Sequence, residues 1–259
     1  MTQPVPLYDA FEDYDRFVNW PARLAFELPF LRRIFQEHAV RTILDVACGT
    51  GQHAIALAKE GYGFTGTDLS QAMVERARRN AQEAGVTVAF YPLGFGELAQ
   101  ALPGPFDALI CLGNSLPHVT DLPALEHALR DMAAVLRPGG VLIIQNRNFD
   151  RVLALQERFM DPQVAQEGEQ EWVFFRFYDF AGELLRFNLV RLHRQGQAPW
   201  TARVEQTLLR AWRHAELEAL LRATGLAPVT AYGSYRGEPY APQTSGDLIL
   251  VAQRSGPQK

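Results

Sequence analysis

The chain has 259 residues, 47% hydrophobic and 21% charged, with a formal net charge of −4, the profile of a globular protein long enough to bury a full core. That charge excludes a general polyanion-binding field, and the densest basic stretch, Glu75 to Glu83, interleaves its arginines with acids as a solvated helix face does, so no nucleic-acid partner is expected. Two cysteines exclude a disulfide framework and form no metal spacing, no apolar run approaches roughly 18 residues, and the amino terminus has no basic start leading into an apolar stretch, so a cytoplasmic setting without a membrane partner is expected.

Tyr8 to His38 is aromatic-rich, with Leu24, Leu28, Leu31 and Phe35 at helical spacings. Pro21 suits a first helical turn and Asn19 a cap before it. RTILDVA, Arg41 to Ala47, reads as a buried strand, and Gln52 to Lys59 as a helix ended by the Gly61–Gly63 turn. GFTGTD is a second strand closing on Asp68, Leu69 to Ala84 a second helix, VTVAFYP a third strand, and FDALICLG, Phe106 to Gly113, a fourth. Ala124 to Leu136 is an amphipathic helix stopped by the turn Arg137-Pro138-Gly139-Gly140, and VLIIQN is a fifth strand. Short apolar strands alternating with helices indicate parallel βαβ units. The expected fold class is therefore α/β, a doubly wound, mostly parallel, seven-stranded sheet whose strand carboxyl ends share one edge.

After Asn148 a helical link runs through Leu155. Three extended, alternating segments follow, EWVFFRFYDF, ELLRFNLVRLH and WTARVEQTLLRAW. HAELEALLRATG returns to a helix, and VTAYGSY and DLILVAQR close the sheet. The expected organisation is an N-terminal helical cap over 1–40, a ligand-binding core over 41–148, an antiparallel insertion over 149–210, and a final helix with closing strands over 211–259. The insertion is expected to cover the site as a lid or to form an oligomer surface; monomer and homo-oligomer both remain open.

Gly49-x-Gly51-x-x-Ala54 satisfies a dinucleotide fingerprint, but the glycines demand only close backbone approach and a tight turn into a helix. Asp68, ending the second strand, suits both hydroxyls of a ribose, a requirement shared by NAD and S-adenosylmethionine. Asp45, inside the first strand, suits a ligand with an ammonium group and sits poorly beside a pyrophosphate. No separate domain for hydride transfer is visible. A nicotinamide-dependent oxidoreductase and a cofactor-binding protein without catalysis stay as alternatives.

LDVACGTG, TGTD, FDALICLGNS and LRPGGVLII resemble the ordered motifs of class I S-adenosylmethionine-dependent methyltransferases over roughly Ile43 to Asn148. DVACGTG, LGNSLPHV and RNFD are similar to the glycine N-methyltransferase group, which includes glycine/sarcosine methyltransferases. That resemblance implies S-adenosylmethionine as cofactor and places Arg23, twenty-two residues before Asp45, on the cofactor's carboxylate, bidentately. It also implies Phe95 beside the adenine, Leu69 on its other face, and Glu97 or the backbone of Gly94 and Phe95 at the adenine amine. The expected cofactor-binding set is Tyr14, Arg23, Asp45, Ala47, Gly49, Gly51, Asp68, Leu69, Met73, Gly94, Phe95 and Leu112.

Methyl transfer from a sulfonium is an in-line displacement with a neutral leaving group, so alignment and water exclusion matter more than proton transfer. Asn114, after the fourth strand, is expected at the acceptor. The resemblance places Arg147 on an acceptor carboxylate; the bland reading pairs it with Asp150. His118 is a base for a hydroxyl acceptor or a structural histidine. Tyr8, Tyr14, Trp20, Tyr232 and Tyr235 are candidates to close the pocket. The expected activity is methyl transfer to nitrogen of a small, carboxylate-bearing molecule without a metal, with O-methylation using His118 as the alternative. LYDAFEDYDRFVNW and Trp172 to Trp212 depart from the group, which leaves the acceptor open.

Overall fold

The computed structural model describes residues 6–9 and 11–256. Three helices open the chain, α1 (Pro6–Asp9), α2 (Tyr14–Phe17) and α3 (Trp20–Glu37). The expected start of α3 is present: Asn19 accepts from the Ala22 amide at 3.3 Å, and Pro21 occupies the first turn. Then β1 (Thr42–Asp45), α4 (Gln52–Ala58), β2 (Gly63–Thr67), α5 (Gln71–Glu83), β3 (Ala89–Tyr91), α6 (Leu98–Ala101), β4 (Phe106–Cys111), α7 (Leu122–Val135) and β5 (Leu136–Arg147) form the alternating core. Next come α8 (Phe149–Leu155), β6 (Gln163–Glu167), β7 (Gln170–Ala181), β8 (Leu184–Gln195), β9 (Thr201–Arg210), α9 (His214–Ala223), β10 (Leu226–Tyr232) and β11 (Asp247–Arg254).

Seven strands form the main sheet in the order β10-β11-β5-β4-β1-β2-β3, with β11 antiparallel to β5 and β10 antiparallel to β11. The central strands are apolar through their middles because helices cover both faces. Ile43, Ile110 and Ile143 pack with Leu31, Ile34 and Leu57 on one side. Leu44, Leu109 and Leu142 pack with Leu125, Met132 and Leu217 on the other. Strand order reverses between β1 and β4, and such a switch point opens a crevice at the strands' carboxyl ends.

A second sheet, ordered β6-β7-β8-β9, is antiparallel throughout. Alternation along β7 turns Trp172, Phe174 and Tyr178 inward, against Phe11, Met73 and Phe149. Two differences from the sequence reading stand out. β6 has no alternating apolar run to announce it; it forms because the turn at Gly168, with φ +58°, folds it onto β7. β5 begins at Leu136 and takes in Arg137-Pro138-Gly139-Gly140, with a register shift against β4 where a turn was expected.

Away from the crevice, Asp107 ties β4 to β1 and β5. Its Oδ2 accepts from the amides of Arg41 and Thr42 at 2.9 and 2.8 Å, and its Oδ1 from Arg137 Nε at 2.6 Å. Against the upward push of burial, these hydrogen bonds hold the carboxyl down to about 2. The folded pKa lies below the ordinary 3.8, so this stabilisation is complete above that value and is lost as pH falls through about 2. Asp107→Ala is expected to lower unfolding stability by about 1.5–3 kcal/mol, the range for hydrogen bonds to a charged group. Urea denaturation at neutral pH checks this, and the loss should shrink toward zero in acid.

Candidate active site

The loop after β1 turns sharply into α4. The Cys48 amide donates to Thr67 O at 2.9 Å and the Gly51 amide to Cys48 O at 3.0 Å. Gly49 and Gly51 both take positive φ, +53° and +80°. A Cβ on Gly51 would also lie 2.9 Å from Phe90 Cζ and 3.0 Å from Ala77 Cβ. Gly51 does not line the crevice, contrary to expectation; its place in the fingerprint comes from packing of α4 against α5 and β3. Cys48 is buried, and burial pushes its thiol well up, consistent with a side chain that only fills space.

At the switch point lies a cavity of about 460 Å³. Tyr14, Arg23, Asp45, Ala47, Gly49, Asp68, Leu69, Met73, Gly94, Phe95 and Leu112 all line it, so eleven of the twelve expected residues converge. Asp45 is 2% exposed, and among the described residues its carboxylate accepts only from the Ala47 amide, at 3.2 Å. Burial, with a contribution from Asp68, pushes it up to about 7. Asp68 accepts from the Gly49 amide at 2.8 Å through Oδ2 and from the Ser70 amide at 2.9 Å through Oδ1. Burial also raises its pKa, and each oxygen keeps a further lone pair. Ser70, not Asp68, caps α5, accepting from the Met73 amide at 3.2 Å. Glu97 accepts from the Gly94 amide at 2.7 Å and so shapes the loop that carries Phe95.

The other end of the cavity is cationic. Arg23 donates through Nε to Glu27 Oε1 at 2.8 Å, and its guanidinium lies 5.1 Å from the centre of the Trp20 ring. Its terminal nitrogens point at the backbone of Gly113, where an added Cβ would sit 3.2 Å from one of them. Glu27 in turn bonds His53 Nε2 at 2.6 Å. The His53 hydrogen bond and the Arg23 charge outweigh burial and hold Glu27 below the usual carboxylate range, while burial lowers His53, leaving it a neutral donor. The donor set fits an amino acid joined to a nucleoside. Two guanidinium nitrogens could receive a carboxylate and the buried Asp45 an ammonium, and Asp68, Leu69 and Phe95 line the same cavity.

A second cavity, about 470 Å³, shares Tyr8, Tyr14, Arg23, Gly113 and His118 with the first. Asn114 and Arg147 line it. Asn114, at φ +63°, uses its side-chain oxygen to accept from the Arg147 amide at 2.9 Å. That oxygen therefore positions the end of β5 and keeps one further lone pair. Arg147 does not pair with Asp150, which accepts from Tyr240 Oη at 2.8 Å and the His214 amide at 3.0 Å. Nε of Arg147 is buried without a partner. His118 Nε2 lies 3.2 Å from Tyr8 Oη, and its Nδ1 is buried and unpartnered. Burial lowers His118 to about 4, so the ring is neutral. Tyr235 lines this cavity, whereas Tyr232 packs on Phe30 outside it. The second sheet reaches both cavities, through Thr207 and Leu208 in one and Arg176, Tyr178 and Phe187 in the other.

Glu27, His53 and Arg176 escape sequence reasoning. Glu27 stands four residues after Arg23, an ordinary helical pair, but its bond to His53 spans twenty-six residues. Arg176 did carry a signal: it is the one charge at inward-facing positions of the aromatic run from Trp172 to Tyr178.

Residues 43–140 match the methyltransferase-domain family. A glycine/sarcosine N-methyltransferase of Parasynechococcus marenigrum is 39% identical over 145 residues, which is 56% of this chain and 51% of the relative. The chain thus spans about half the length of that relative. A Clostridium acetobutylicum S-adenosylmethionine-dependent methyltransferase superposes with a TM-score of 0.76 at 18% identity, covering 94% of this chain and 96% of the other. The sugar N-methyltransferase KedS8 of a Streptoalloteichus species superposes at 0.75 with 23% identity, covering 99% and 94%. Residues 43–140 thus resemble a methyltransferase domain, and the chain has the fold of these two solved methyltransferases.

Proposed function

We propose that the protein transfers a methyl group from S-adenosylmethionine to the nitrogen of a small, carboxylate-bearing amine. The observation that carries this reading is the polarity of two adjoining cavities. One joins two acids, the buried Asp45 and the half-buried Asp68, to the cation Arg23, and the other holds Arg147, which has no ion pair among the described residues. When bound, S-adenosylmethionine supplies an electrophilic methyl whose leaving group departs as a neutral thioether. Arg23 is assigned to its carboxylate, Asp45 to its ammonium and Asp68 to its ribose. The chain must then align the acceptor, exclude water and admit the amine uncharged. Tyr8, Tyr14 and His118 stand where the cavities meet and enclose that junction.

Arg147 is assigned to the acceptor's carboxylate, which its planar fork binds with two parallel hydrogen bonds. Two glycine-methylating functions among the similar proteins, and the sugar N-methyltransferase fold neighbour, support nitrogen as the target. O-methylation with His118 as base is the second reading, favoured by the unpartnered Nδ1. The nitrogen reading is stronger because a ring held near 4 is a poor sink for the proton of a hydroxyl that titrates near 10. An amine that arrives neutral needs no base during displacement and releases its extra proton afterwards.

An acceptor screen of amino acids, amines and phenols, read by S-adenosylhomocysteine release, tests the assignment; turnover confined to phenols would reverse it. Arg147→Ala should raise KM for a carboxylate-bearing acceptor by about tenfold or more, matching loss of a charged hydrogen bond, with KM for the cofactor unchanged. Asp68→Ala should weaken S-adenosylhomocysteine binding by about 1.5–3 kcal/mol in calorimetry. Asp45 adds a pH dependence. Only its ionised form attracts an ammonium, and with a free-state pKa of about 7 it is mostly protonated at lower pH. Affinity for S-adenosylhomocysteine should therefore rise by about tenfold from pH 6 to pH 8 and then level off. Asp45→Asn should bind weakly with that rise removed.

A further inference from the structure

Arg176 is the unexplained charge of the second cavity. Strand alternation on β7 puts it on the inner face with Phe174 and Tyr178. Its guanidinium lies 5.0 Å from the centre of the Phe17 ring, and that of Arg147 lies 5.9 Å from the centre of the Tyr178 ring. Both residues line the same cavity, and Nε of each is buried without a partner. Two other arginines shielded from solvent have acid partners: the half-buried Arg23 pairs with Glu27, and the buried Arg191 with Asp13 and Glu205. Arg147 and Arg176 have no ion pair among the described residues.

The surrounding charges do not remove the imbalance. Glu27 is engaged by Arg23 and His53. Asp247 lines the cavity and feels Arg147, but it accepts from Gln145 Nε2 at 2.9 Å, and burial raises its pKa. Asp161 acts on Arg176 from an exposed position. The two guanidiniums oppose each other: burial and the Arg147 charge both lower the pKa of Arg176. A half-buried cation without a counterion is costly, and a carboxylate that grips one guanidinium with both oxygens is largely committed to it. A monocarboxylate such as glycine would leave the second arginine bare. Because the two guanidiniums lie over different rings, on different elements, they mark two separate anchoring points.

We propose that the acceptor is an amine carrying two carboxylates, one held by Arg147 and the other by Arg176, so that Arg176 selects dicarboxylate over monocarboxylate acceptors. This rests on the methyltransferase reading for the amine, but the anion recognition is measurable without turnover. In the reaction the nitrogen lone pair forms the new N–C bond as the methyl's bond to sulfur breaks. The amine's surplus proton then passes to solvent, and both carboxylates remain ionised and bound.

Calorimetry on the full chain, with and without S-adenosylhomocysteine, would titrate acetate, malonate, succinate, glutarate and inorganic phosphate. At least one dicarboxylate should bind about tenfold or more tighter than acetate, as expected for a second charged hydrogen-bonded pair. Arg176→Met should remove that advantage and leave acetate within about twofold, while Arg176→Lys should retain part of it. S-adenosylhomocysteine affinity should be the same in all three proteins, which reports an intact fold. Dicarboxylates binding no tighter than acetate, equal weakening of both by Arg176→Met, or preference for phosphate would overturn the proposal. Absence of S-adenosylhomocysteine binding with the dicarboxylate preference intact would overturn the methyltransferase reading alone.

Discussion

Glu27 joins the parts of this molecule that make a site. It is 6% exposed, it projects from α3, and it accepts from Arg23 on the same helix and from His53 on α4. Removing either partner would leave a buried charge or polar group unsatisfied, so the geometry of all three is set together. Through this bridge α3 is held against the glycine loop, and Arg23 is held over Gly113. A second tie lies beside it. Asp15 accepts from Trp20 Nε1 at 2.7 Å and Thr50 Oγ1 at 2.5 Å, so the loop and α3 are bonded by a residue of α2.

The main sheet supplies the opposite constraint. Its strands are buried on both faces, so the only polar groups they carry toward a ligand sit at their carboxyl ends. Asp45 and Asp68 stand at two such ends; burial raises the pKa of both, and Asp68 adds to the rise at Asp45. A buried acid with a single backbone donor is an unfavourable arrangement in isolation. It becomes sensible as a counter-charge, and the same reasoning applies with opposite sign to the unpartnered guanidiniums of the neighbouring cavity. The acidic and basic regions meet at Tyr8, Tyr14, Gly113 and His118, where the neutral histidine and protonated phenols add no net charge.

The second sheet changes the chemistry available without changing the core. Its inner face carries Trp172, Phe174, Arg176 and Tyr178 toward α1, α2 and the ends of β4 and β5. The aromatic side chains exclude water from the space in which charges must recognise one another, which strengthens each electrostatic contact. The short helices α1 and α2 contribute Tyr8, Tyr14 and Phe17 to the same enclosure.

Much of this was legible in the amino-acid sequence alone. Short apolar runs and glycine turns located the strands of the main sheet, because those signals are local and follow from backbone geometry. The positions of Asp45 and Asp68 relative to the loop follow from strand ends, Arg23 was implied by the family resemblance, and all three line one cavity. The reasons behind other positions lie in tertiary contacts. Gly51 is glycine because Phe90 and Ala77 arrive from elements that follow it, not because a ligand touches it. Asn114 serves the Arg147 amide, thirty-three residues away, and β6 exists only as a partner for β7. The Glu27–His53 bond and the meeting of Arg147 with Arg176 join residues whose separation along the chain leaves no local pattern. Local periodicity determines which elements form and which end of each is polar; only the packing of those elements decides which charges are neutralised and which are left facing a cavity.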